Sequence, residues 1–146
     1  MVDVSEKPAT MRKAAAGGTV HVSAETFGLI MRDEIKKGDV LGVAQLAGIM
    51  AAKKTPELIP MCHPVNITGV DISISPDKEN CLFGITASVL CKGETGVEME
   101  ALTAVAAAAL TIYDMCKSVQ KDIKISNIRL LYKSGGKSGE YMADDV

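Results

Sequence analysis

Asp114 and Lys117 stand three residues apart at the end of a run, Ala101 to Tyr113, that is apolar apart from two threonines and the tyrosine hydroxyl. In a helix that spacing puts a carboxylate and an ammonium on one face, shared at about 100° per residue with Leu110, Ala107 and Thr103. The pair is expected where the helix emerges from packing, partly shielded from water, a setting in which proton affinities can be tuned for acid/base catalysis. The same spacing also suits an ordinary surface ion pair, which contributes only about 0.2 to 0.5 kcal/mol. His63 is the second candidate. It lies between Cys62 and Pro64 in Leu58-Ile59-Pro60-Met61-Cys62-His63-Pro64, where two prolines predict a rigid, non-regular loop, and imidazole is the side chain most easily poised near neutral pH. A histidine that only hydrogen-bonds loop backbone fits the same pattern, and His21, inside a short strand, reads as structural.

Lys133-Ser134-Gly135-Gly136-Lys137-Ser138-Gly139 offers glycines whose N–H groups can approach an anion, flanked by lysines. It is not a P-loop, because Leu131 occupies the position of the first glycine and too little chain follows for the required helix. A solvated tail is the alternative. Glu98 falls where a capping box opening at Thr95 would place its acid, so helix capping is its expected role. Glu100 has no such role and shares a side with Asp114. About fourteen residues at about 1.5 Å each separate the two by roughly 21 Å, so one reaction can use both only if a second subunit supplies one of them.

The elements that must position these residues follow from periodicity. Residues 1–17 lack a sustained period and are expected to form an arm. Thr19 to Val22 reads as a short strand. Ser23 caps a helix from Ala24 to about Lys36, closed by Lys36-Lys37-Gly38, and Asp39 caps another from Val40 to about Lys54, ended by Pro56. Thr68 to Ser75 and Cys81 to Lys92 alternate as a hairpin with one wet face. The longest helix opens near Thr95 and runs to about Lys121, and Ile123 to Lys133 is a last strand. The order β-α-α-β-β-α-β predicts an α+β fold, the ferredoxin-like split βαβ with helices on one face of an antiparallel sheet.

The 146 residues, 47% hydrophobic and 23% charged, predict one domain spanning 1–146 with one core. A formal charge of -2 and five scattered aromatics exclude a general polyanion binder or a base-stacking platform. The start resembles no secretory signal, and the longest apolar run falls short of the roughly 20 residues a membrane span needs. A cytosolic protein is expected. Four cysteines without a CxxC pair read as thiols, and with His21 and His63 they show no zinc-finger spacing. No metal or cofactor is predicted.

Taken together, Leu58 to Pro64, Thr95-Gly96-Val97-Glu98-Met99-Glu100-Ala101-Leu102, Tyr113-Asp114-Met115-Cys116-Lys117 and Lys133 to Gly139 resemble the MoaC family of cyclic pyranopterin monophosphate synthases, acting in molybdenum cofactor biosynthesis. The likeness extends from Met1-Val2-Asp3-Val4-Ser5 to the tail. The family's usual leader before that motif, with its Leu-Thr-His stretch, is missing here. The resemblance implies a homohexamer, a trimer of dimers of ferredoxin-like subunits with sites at the dimer interfaces. It implies a lyase that converts a cyclised dihydro-GTP into cyclic pyranopterin monophosphate with loss of pyrophosphate. It further implies that Asp114 is the acid/base with Lys117 beside it, and that Met61, Cys62 and His63 form a substrate loop. Met99 and Glu100, with Glu98, would contact the purine-derived end, Lys37 and Lys133 would meet phosphate or the reacting centre, and Arg12 would reach a phosphate from the arm.

Two other classes use the same fold. An RNA-binding domain would need clustered strand aromatics and a basic sheet face, which this chain lacks. A regulatory module would bind a nucleotide without turning it over.

Overall fold

The computed structural model describes residues 1–145. Its elements are β1 (Thr10–His21), α1 (Ala24–Met31), α2 (Val40–Leu58), β2 (Ile67–Asp77), β3 (Leu82–Gly93), α3 (Glu98–Cys116), β4 (Lys124–Ser134) and β5 (Tyr141–Met142). The sheet order is β2-β3-β1-β4-β5 with every neighbouring pair antiparallel. Its first four strands are the expected split βαβ arrangement, with α3 packed on β1, β3 and β4 and α2 packed on α3 and β2.

The core grows from the hairpin. Phe83, Ile85, Ala87 and Val89 of β3 are fully buried or nearly so, as their alternation predicts. Pro76 is accommodated because β2 is an edge strand, where a missing N–H costs no ladder bond. Phe27 of α1 stacks on Phe83, ring centroids 4.9 Å apart, and ties the first helix to the sheet.

The arm expected over residues 1–17 gives way at Thr10. From there to His21 the chain is the central strand, in register with β3 from Thr10↔Gly93 to His21↔Leu82. Its alanines and glycines hide the alternation because their side chains are too small to mark a face. They are small for a reason: α3 lies so close that a Cβ on Gly18 would come within 2.7 Å of Val105. Gly48 does the same between α2 and α3, where a Cβ would collide with Ile72 and stand 3.0 Å from the Ala104 carbonyl. α3 has the length and hydropathy of a membrane span, but its buried residues, among them Ala101, Ala104, Val105, Ala108 and Ile112, pack into this core.

Four other boundaries move, among them the end of α3, which comes at Cys116 and not near Lys121. α1 stops at Met31 because Asp33 turns left-handed (φ 57°) and the Glu34 N–H donates to the Leu29 carbonyl at 2.9 Å, a closure normally left to glycine. Lys36 and Lys37 therefore leave the helix. α2 runs past Pro56 to Leu58, its last turn anchored by the buried Thr55 hydroxyl donating to Ala51. α3 begins at Glu98 after Val97, with no side-chain cap, so the capping box expected at Thr95 does not form. The tail after β4 returns as β5, turning the glycine-rich segment into the loop of a hairpin.

Candidate active site

The residues singled out above fall into two groups, one at each end of α3. At its C-terminal end the Lys117 ammonium donates to one Asp114 carboxylate oxygen at 2.6 Å, and the Lys37 ammonium donates to the other at 2.8 Å and to the Asp114 backbone carbonyl at 3.1 Å. Lys37 reaches the site because the early end of α1 leaves it on the turn before α2. The side chains are not shielded as the sequence led us to expect. Asp114 is 54% exposed, Lys117 53% and Lys37 46%, since the helix ends here and nothing among the described residues covers it. Hydrogen bonds from Lys117 and then Lys37 pull the Asp114 carboxyl down to about 2. The bond to Asp114 pushes the Lys117 ammonium up. Both are fully charged near neutral pH, a strongly paired but poorly basic arrangement.

The N-terminal end of α3 is different. Glu100 is 2% exposed and helps line a cavity of about 260 Å³ with Met61, Cys62, His63, Thr95, Gly96, Glu98 and Met99. Burial raises its proton affinity, a bond to its own backbone N–H opposes this, and the nearby Glu98 charge adds to the rise. Burial, with the Glu100 charge, also raises the Cys62 thiol, so Cys62 lines the site as a neutral thiol and not as a thiolate nucleophile. His63 is held by its Nε2–H donating to the Val2 carbonyl at 2.7 Å.

Beside this lies a larger cavity of about 520 Å³, lined by Arg12, Lys133 and the Ser134–Ser138 loop. The two share Thr95, Gly96 and Glu98 as a common wall. Arg12, now on β1 and not in an arm, donates to the Gly93 carbonyl at 2.9 Å and the Glu94 carbonyl at 3.0 Å. The glycine loop crosses directly over it. Gly135 (φ 95°) and Gly136 (φ 76°) adopt left-handed backbone, and a Cβ at either would collide with the Met11 backbone or the Arg12 guanidinium. Lys133 is fixed by donating to the Ser138 hydroxyl.

Sequence reasoning missed Lys7, Lys13 and Thr10, which also line the larger cavity; the Thr10 hydroxyl is buried there without a partner among the described residues. An Arg-Lys pair just after a threonine carries no periodic signal, and only the strand pairing assembles it. His21, by contrast, has the structural role expected of it, with Nε2 2.7 Å from the Ser126 hydroxyl across β1 and β4.

The buried carboxylate yields a signed prediction. With its folded pKa above its unfolded value, Glu100 binds more protons in the native state, so stability falls as pH rises through that interval. Glu100→Gln removes the cost of a buried charge. Its Tm at pH 7 is expected to exceed the wild type's by a few degrees, and the difference to shrink toward pH 4 in thermal melts, while activity falls.

The sequence that builds these two cavities is matched by known proteins. The MoaC family profile matches residues 1–136. Among curated relatives, the protein of Thermoanaerobacter sp. (strain X514) is 61% identical over 141 residues, covering 97% of this chain and 89% of its own length. Those of Trichodesmium erythraeum and Rhodospirillum rubrum are 58% and 56% identical, covering 97% and 98% of this chain and 86% of each relative. All three carry the name cyclic pyranopterin monophosphate synthase. With a match running from the first residue into the glycine loop, the chain belongs to the MoaC family.

Proposed function

We propose that this chain is a cyclic pyranopterin monophosphate synthase of molybdenum cofactor biosynthesis, working in the cytosol, that converts a cyclised dihydro-GTP to the cyclic pyranopterin monophosphate and releases pyrophosphate. The observation that carries the reading is the wall of Thr95, Gly96 and Glu98 shared by the two cavities. It sets a cationic, N–H-rich chamber for phosphates beside a pocket suited to a polar heterocycle, and the combined space is of the size that takes a nucleotide-like ligand. Arg12 and Lys133 neutralise phosphate oxygens, with backbone N–H groups of the glycine loop. Met61, Cys62, His63, Glu98, Met99 and Glu100 hold the purine-derived end. Asp114, Lys117 and Lys37 move protons during ring opening and closure.

The proton-moving trio lies roughly 21 Å along α3 from Glu100 by helix rise. The site is therefore shared between two subunits, one bringing its Asp114 end to its partner's Glu100 end, and the resemblance to the MoaC family supports assembly of such dimers into a homohexamer, a trimer of dimers. Covering the exposed trio would remove water from it and bring Asp114 back from about 2 toward useful basicity. The direct test incubates the protein with cyclised dihydro-GTP. Release of pyrophosphate with appearance of pterin fluorescence is expected, and binding of the ligand unchanged would reject the enzyme in favour of a regulatory module.

A further inference from the structure

The glycine loop that roofs the larger cavity is closed at its far end by β5, a strand of only two residues pairing Tyr132↔Met142 and Lys133↔Tyr141. Two rungs alone are marginal in water, and the loop between them is costly to order, because Gly135, Gly136 and Gly139 all take left-handed backbone that an unfixed glycine leaves freely. Two further contacts hold the return. The Ala143 N–H donates to the Leu131 carbonyl at 2.9 Å, and Ala143 is 7% exposed. Beyond it, the Arg129 guanidinium of β4 pairs with the Asp145 carboxylate at 2.7 Å. Neither charged residue lines the cavity beneath the loop; both border a separate concavity over Gly17, Thr19 and Gly84. Ala143 and Asp145 also lie beyond residue 136, where the family match ends.

We propose that Arg129 and Asp145 form a latch that clamps β5 onto β4 and so holds Lys133, Lys137 and the glycine N–H groups in the shape that receives a phosphate-bearing ligand. These are positioning residues. They lower the ordering cost of binding without touching the ligand, so their loss affects affinity and not the chemical step. The inference rests on reading the loop as the anion site.

The test uses the full-length protein, with inorganic pyrophosphate titrated by calorimetry and steady-state kinetics on cyclised dihydro-GTP. Asp145→Asn and Arg129→Gln are each expected to weaken pyrophosphate binding and raise KM by roughly two- to fivefold, the range an exposed ion pair can supply. Tm and kcat stay unchanged, and the exchange Arg129→Asp with Asp145→Arg restores affinity. Unchanged affinity in both single variants, failure of the exchange to restore it, or a fall in kcat at constant KM overturns the latch. Arg12→Ala separates the two levels. If it weakens pyrophosphate binding while the latch variants do not, only the latch falls; if it too has no effect, the anion-site reading falls with it.

Discussion

Asp114→Asn is expected to lower kcat by about 10²- to 10⁴-fold, the usual contribution of a positioned acid/base group, with little change in KM for cyclised dihydro-GTP. Asn keeps the size of the side chain and an acceptor oxygen for one lysine, but it can neither take a proton nor hold both Lys117 and Lys37 at 2.6 Å and 2.8 Å. Lys117→Gln should fall to a similar level, and the double variant scarcely further, because groups that act as a unit are strongly non-additive. Single-turnover kinetics separate the chemical step from binding. Wild-type speed in the double variant would remove these residues from the chemistry.

The same carboxylate gives a weaker signature in stability. Its folded pKa of about 2 lies below the ordinary 3.8, so whatever stability the cluster contributes is present above the ordinary value and is lost as pH falls toward about 2. The side chain is more than half exposed, and such pairs contribute little. Wild type and Asp114→Asn should therefore melt nearly together at neutral pH. The large kinetic effect cannot then be ascribed to unfolding.

The second large effect is a recovery. Glu100→Ala and Asp114→Ala chains, each nearly inactive alone, are expected to regain about one quarter of wild-type activity when unfolded, mixed equally and refolded together. Under random pairing about half the dimers are mixed, and in each of these one of the two sites draws Glu100 and Asp114 from unsubstituted ends. The length of α3 alone requires this, since a straight helix cannot bring its first and last turns to one small molecule. If mixed chains that demonstrably associate stay as inactive as the parents, each site is contained in one subunit or does not need both residues.

How much of this the residues reveal unaided differs from place to place. The hairpin was legible because Val70, Ile72 and Ile74, and then Phe83, Ile85, Ala87 and Val89, alternate with smaller or polar neighbours, and a sustained period of two is the mark of a half-buried strand. The central strand was not, because Ala14, Ala16 and Gly18 are chosen for the closeness of α3, and small residues erase the contrast that periodicity depends on. The helix ends were legible at Ser23 and Asp39, both of which cap as expected. They were misjudged at Asp33 and Thr95, where a left-handed aspartate and an uncapped valine depart from the usual residue choices.

For the site, the sequence by itself determined which side chains are available and that Asp114 and Lys117 must meet, because a helix enforces contacts between residues three apart. It also set Glu100 and Asp114 at opposite ends of one rod. Only the tertiary structure decided that Lys37 closes on Asp114 from 77 residues away, that Arg12 lies beneath the glycine loop, and that Glu100 is buried while Asp114 stands in water. Those are consequences of sheet order and helix packing. Long-range contacts are chosen by the burial of the whole core, and no local spacing in the chain records them.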